Sequence, residues 1–186
     1  MEAFATSDDL ATLLNVEYTE PEAARVTALL ESASDYLRGV IGQDVYPRRT
    51  ATYTAYPSFG REDLPQWPVV SVDAIAVEGA PVPFKYRPGY VLVDADECDI
   101  TFTFGYGEAP RELNRLACVL ASQALQSLEL TGALTSGGLS SVSIDDFRAA
   151  FADGGASTGI ALPSLQQASI RRQFGQGGMT MVEAYT

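Results

Sequence analysis

The stretch that most constrains this chain is residues 99–130, DITFTFGYGEAPRELNRLACVLASQALQSLEL. Ile100, Phe102 and Phe104 alternate with Thr101 and Thr103, the period of a strand with one face in a core. Gly105 and Gly107 then break the alternation and permit a positive φ at the turn. Pro110 suits the first turn of a helix, where its missing N–H leaves nothing unpaired. From Leu113 the apolar positions run Leu113, Leu116, Ala117, Leu120, Ala124, Leu125 and Leu128, at helical spacings of three and four. Cys118 and Ala121 widen that stripe, so the helix is expected to be covered on more than one side. A strand delivered straight into a central helix calls for both a sheet and a helical body.

The flanking segments supply the rest of each. Residues 6–14 read as a short helix capped by Thr6 or Ser7, with Asp8 and Asp9 at the positive end of its dipole. Thr19 and Glu22 have capping-box spacing and Pro21 lies inside the first turn, opening a helix over 20–42. Val26, Leu29, Leu30, Ala33, Tyr36, Leu37, Val40 and Ile41 form its apolar face, Gly42 stops it, and the helix over 110–130 is its natural partner. From about 50 to 105 the composition shifts to strand formers and turns. Thr50–Tyr56, Val69–Val77, Val82–Tyr86 and Tyr90–Val93 precede the strand at Ile100, which predicts an antiparallel meander of four or five short strands. Pro57–Pro68 reads as a loop. Residues 132–141 and 153–157 are glycine-bearing links, with an irregular strand pattern between them at 141–151. A last helix runs over 163–174 with Leu165, Ala168 and Ile170 apolar, and 175–186 reads as a flexible C-terminal arm. The expected fold class is α+β: a bundle of three to four helices with an inserted antiparallel β meander. Residues 1–174 are expected to form one domain.

Composition narrows the function classes. The net charge is −12, from 24 acidic and 12 basic residues, which disfavours nonspecific binding to phosphate backbones. There is no histidine, which removes Ser-His-Asp and Cys-His nucleophile systems, zincin motifs and histidine metal sites. No phosphate-loop pattern occurs. Asp94, Asp96, Glu97 and Asp99 cluster but lack the glycine and distal glutamate of a calcium loop, so they read as a solvated turn. Glu62-Asp63 and Asp145-Asp146 are adjacent carboxylates in loops, a poor basis for acid–base work. The Arg48-Arg49 and Arg171-Arg172 pairs read by default as salt-bridging residues. The two cysteines, Cys98 and Cys118, form no CxxC pair and read as reduced thiols. No signal-like or membrane-spanning run is present. The expectation is a non-enzyme with no cofactor and no metal.

The order of segments carries a resemblance. FATSDDLATLL, a capped helix ending LRGVIGQDVYP, then LPQWPVVSVDAIAVEG and ITFTFGYGEAPRELNRLACVLASQAL resembles the head-to-tail connector (adaptor, head-completion) proteins of long-tailed bacteriophages, especially versions from phages of actinobacteria. The matching motifs are Leu64-Pro65, Pro68-Val69, Ser71-Val72, Val77-Glu78-Gly79, Gly105-Tyr106, and Pro110 opening the helix from Leu113 to Leu128. The likeness spans Phe4 to Phe174 and departs at Trp67 and in the glycine-rich stretch from Asp153.

The resemblance implies a ring, usually a dodecamer, between the capsid portal and the tail. It completes the head and passes DNA through its lumen. The implied partners are other copies of the chain, the portal protein and the next connector or tail-terminator protein, with DNA as passing cargo only and no membrane. The implied place is the capsid–tail neck of a virion made in a bacterial host's cytoplasm. An acidic lumen would repel the DNA and let it slide, in keeping with the charge. Contacts are then expected at Met179, Met181, Val182 and Tyr185 of the arm and at Arg171 and Arg172. Phe59 and Trp67, in the Tyr56–Trp67 loop, complete the set. The alternative is a non-ring acidic adaptor or tail-assembly binding protein.

Overall fold

A computed structural model describes residues 1–134 and 162–175, the side chains of 128–134 excepted. The expectations for 141–151 and for the glycine-bearing links beyond 134 therefore fall outside the described residues, as does the arm from 176 onward. The fold is α+β, and the chain divides into two compact units. One comprises Met1–Val40 with Ala109–Gln167, the other Ile41–Glu108 with Ala168–Thr186.

The first unit is helical. Helix α1 (Ser7–Leu14) opens on a capping box. The Asp9 N–H donates to the Thr6 hydroxyl at 3.2 Å, and the Thr6 N–H donates to the Asp9 carboxylate at 2.8 Å. Asn15 ends it in the left-handed region, with φ 54°. Helix α2 (Glu20–Ile41) begins with only half of such a box, the Thr19 N–H and hydroxyl both donating to the Glu22 carboxylate, at 2.8 and 2.7 Å, and Gly42 follows it at φ +82°. The predicted apolar face is the buried one: Val26, Leu29, Leu30, Ala33 and Leu37 are all at most 1% exposed. Each wholly buried leucine there contributes roughly 1.5–3 kcal/mol relative to an exposed one. Ser34 on the same face is wholly buried and satisfied, accepting from the Phe4 N–H at 2.9 Å and donating to the Leu30 carbonyl at 2.6 Å. Helix α3 (Arg111–Leu134) buries Leu113, Ala117, Cys118, Leu120, Ala121 and Ala124, covering the widened stripe. The Asn114 amide joins α3 to α1 by donating to the Phe4 carbonyl at 3.2 Å and to the Asp9 carboxylate at 3.1 Å.

The described residues of the second unit hold seven antiparallel strands. These are β1 (Arg49–Ala55), β2 (Arg61–Asp63), β3 (Val69–Val77), β4 (Ala80–Pro81), β5 (Lys85–Arg87), β6 (Tyr90–Leu92) and β7 (Cys98–Phe104). They form a four-stranded sheet in the order β1-β7-β3-β4 and a three-stranded sheet in the order β2-β6-β5. The strand of the opening stretch, β7, lies inside the larger sheet between β1 and β3: Arg49 pairs with Phe104 on one side and Ile75 with Ile100 on the other. Ile100, Phe102 and Phe104 join Ala55, Ile75 and Cys98 in a core that also takes Leu64, Val91 and Val93 from the segments of the smaller sheet. The opposite face of the larger sheet is polar, with Thr50 bonded to Thr103 at 2.7 Å, Thr52 to Thr101 at 2.8 Å, and Thr54 donating to Asp99 at 2.8 Å. Helix α4 (Ser164–Phe174) ends with Ile170 and Phe174 buried.

Four local expectations change. Residues 57–68 are not all loop, because Arg61–Asp63 pairs with β6; three charged residues carry no apolar period, and only the partner strand makes them β. The expected strand at Val82–Tyr86 is split into β4 and β5, since Pro81 and Pro83 donate no ladder hydrogen bonds. Gly105 has φ +89°, but Gly107 lies outside the left-handed region. Leu165, expected on the apolar face of the last helix, is 85% exposed, because the buried face runs through Ile170 and Phe174 instead.

Candidate interaction surface

The small sheet has one face in the core and one in solvent. Val91 on its central strand is wholly buried, so its neighbours Leu92 and Tyr90 point outward. Register places Arg61 and Lys85 beside Leu92, and Asp63 and Arg87 beside Tyr90, on the same outer face. Arg61 lies over the Tyr90 ring, 4.0 Å from its centroid, and pairs with Asp63 at 2.8 Å. Lys85 and Arg87 have no ion-pair partner among the described residues. This face carries three cations against one carboxylate in a chain of net charge −12. Glu62 faces the other way, and burial, then the neighbouring Asp63, raises its pKa above the usual carboxylate value. Glu62 in turn helps burial to raise the Tyr53 hydroxyl and the Cys98 thiol, both of which border the same core.

Phe59 stands at the end of this sheet. Ser58 and Arg61 exchange backbone hydrogen bonds at 2.8 and 3.1 Å around the two-residue turn Phe59-Gly60. Both turn residues are left-handed, with φ 54° and 75°. The conformation costs Phe59 about 1–2 kcal/mol that glycine would not incur. The Val93 N–H donates to the Gly60 carbonyl at 3.0 Å, fixing the turn to the sheet. Phe59 is wholly exposed, at 107% of the reference area. A shallow cleft beside it is lined by Phe59, Pro83, Phe84, Lys85, Leu92 and Asp94. A strained turn thus holds an aromatic side chain away from every core, next to apolar groups, Lys85 and Asp94.

Trp67 belongs to a different cluster. It is half-buried, and its backbone N–H donates to the Gln43 side-chain carbonyl at 2.9 Å. The Gln43 amide donates in turn to the Phe174 carbonyl. Phe174 packs edge-on against Tyr106, centroids 6.5 Å apart. One buried glutamine therefore joins the Trp67 loop to the last turn of α4, where Arg171 and Arg172 are exposed. Met179, Met181, Val182 and Tyr185 lie outside the described residues. The structure brings Trp67 together with the end of α4 and places Phe59 at the outer face of the small sheet. Sequence reasoning passed over Gln43 and that outer face. The available signal for the face was that residues 83–93 carry Lys85 and Arg87 and no acid in an acidic chain.

No group of three or more cysteine, aspartate or glutamate side chains suited to a metal ion occurs among the described residues. Cys98 and Cys118 are both buried free thiols. No helix of the described residues is long and apolar enough to cross a membrane.

No protein-family model matches this chain, and no curated protein matches it. Among solved structures, it is similar to a chain of one described as the neck of an empty GTA particle computed with C6 symmetry. The two are 19% identical, with a TM-score of 0.48 over 76% of this chain and 87% of the other.

Proposed function

We propose that this chain is a structural protein of a virion neck, forming a ring between the capsid portal and the tail. The ring completes the head and lets DNA pass through its lumen. The sequence resemblance from Phe4 to Phe174 supports this reading. The observation that carries it is Phe59: a wholly exposed aromatic side chain, on a strained turn pinned to a sheet, is a contact residue awaiting a neighbour. The excess of acid suits a lumen that must not hold DNA. The arm from Gly175 to Thr186, with Met179, Met181, Val182 and Tyr185, together with Arg171, Arg172 and Trp67 near the end of α4, would reach the portal or the next connector.

The test is electron microscopy of the full chain mixed with a purified portal ring from the same virion. Stacked ring density, about twelvefold, is expected; its absence at saturating chain concentration overturns the reading. Single copies bound without ring closure would instead favour a non-ring adaptor. Removing residues 175–186 should abolish docking while leaving the fold intact, and undiminished docking overturns the role of the arm.

A further inference from the structure

Two groups of exposed apolar side chains, one in each unit, sit in surroundings of opposite charge. In the helical unit Leu13, Leu14 and Val16 are 52%, 40% and 45% exposed. Residues 7–22 around them hold five acids (Asp8, Asp9, Glu17, Glu20 and Glu22) and no cation. A cleft lined by Asp8, Ala11, Thr12, Asn15, Val16 and Glu17 opens beside this patch. In the β unit Phe59 and Leu92 are 107% and 36% exposed, beside Lys85 and Arg87, which have no ion-pair partner among the described residues. We infer that these patches are the two halves of one contact between successive copies, the outer face of the small sheet on one meeting the α1–α2 corner of the next.

Three physical arguments lead there. Two copies at net charge −12 repel each other, so a self-contact forms where one copy offers cations, and the small sheet offers them on an apolar face. The basic face would repel its own image, so a twofold contact through it is disfavoured. Its complement within the same sequence is the acidic corner. A contact between two different patches is heterologous, the kind that builds a ring when the rotation between copies divides a full turn. The inference rests on the ring reading above and assigns that ring its subunit interface. Only a few apolar side chains lie in each patch, so each contact is weak and sensitive to salt.

The experiment repeats the portal-ring assembly with full-length variants and reads the chain concentration needed for half-maximal ring density. Phe59→Asn should raise that concentration at least about tenfold, as loss of a central aromatic anchor does. Asparagine tolerates the left-handed backbone, so the thermal midpoint should hold or rise, which separates lost contact from lost fold. Lys85→Glu with Arg87→Glu should also abolish rings. Adding Glu17→Lys and Glu20→Lys in the same chain should bring them back, because the complementarity is restored with its sign reversed. Rings that survive both Phe59→Asn and the double charge reversal overturn this contact and leave the ring reading standing. Failure of the fourfold charge swap to recover any assembly likewise overturns the pairing. An unmodified chain that forms no ring overturns the ring reading, and the contact with it.

Discussion

Gly105 offers a test worked from backbone geometry. It sits at the end of β7 with φ +89°, where any side chain is strained. A Cβ there would lie 3.1 Å from the Pro47 carbonyl oxygen, 3.2 Å from that of Val45 and 3.3 Å from the Arg48 Cα. All three are backbone atoms, and their segment is held by the Tyr106 N–H donating to Val45 at 2.8 Å, so it cannot swing aside like a flexible side chain. For Gly105→Ala, the left-handed conformation costs about 1–2 kcal/mol and crowding about 1–3 kcal/mol more, roughly 2–5 kcal/mol in all. At about 2–4 °C per kcal/mol for a chain of this length, the midpoint should fall by roughly 4–20 °C. The control is Gly107→Ala. Its φ is not left-handed, and the nearest atom to its Cβ is the Arg48 Nη2 at 3.4 Å, the tip of a long side chain. That variant should stay within about 0.5 kcal/mol of the parent. Calorimetry or urea unfolding followed by near-ultraviolet circular dichroism measures both. Equal stability of the two variants would refute the reasoning.

Further outcomes follow from buried polar groups. Gln43→Ala leaves the Trp67 N–H and the Phe174 carbonyl without their side-chain partner, so stability should fall by about 2–3 kcal/mol. Emission of the single tryptophan should shift to the red; an unchanged spectrum would count against the Gln43 bridge. The Thr6 backbone N–H, followed by the Thr6 hydroxyl and the Asn114 amide, holds the Asp9 carboxyl below the usual carboxylate range. Its contribution is therefore present above pH ~4 and lost as the pH falls through its lowered pKa. Asp9→Ala should cost about 1–2 kcal/mol at neutral pH and flatten the acid limb of the stability profile, so an unaltered acid limb argues against it. Burial, with the Asp9 charge adding to it, pushes the Cys118 thiol up to about 11. Its protonated form is favoured in the folded state, so the associated stability is full below the ordinary thiol pKa and declines as the pH rises through about 11. Native Cys118 should resist maleimide at neutral pH and label only on unfolding; rapid native labelling would contradict its burial.

Much of the helical part was legible because its signals are local. The cap at Thr6, the bond from the Thr19 N–H to Glu22 (half of the expected capping box), the stripe from Val26 to Ile41 and the stop at Gly42 are short-range features of the chain. Each appears in the structure where spacing predicts it. The β region was legible as β, and β3 has the expected bounds, but its pairing was not. Arg49 meets Phe104 across more than fifty residues, and nothing within either strand states that partner. The outer face of the small sheet was hidden for the same reason, since Arg61, Leu92 and Lys85 share a face only through register. Phe59 was a candidate from its loop, yet its full exposure and left-handed backbone are products of the turn between Ser58 and Arg61.

By itself, the sequence determined that a strand ending in glycine runs into a largely buried helix, that the chain is α+β, and that it is strongly acidic. These follow from periodicity, from backbone freedom at glycine and from charge, all of which act over short range or none. Tertiary structure alone decided that this strand lies between β1 and β3 in its sheet and that only Gly105 of its two turn glycines needs positive φ. It also decided that Lys85 and Arg87 gather with Arg61 beside an exposed phenylalanine. Those outcomes depend on which distant segments pair, and strand register is fixed by packing against the shared core rather than by any strand's own residues.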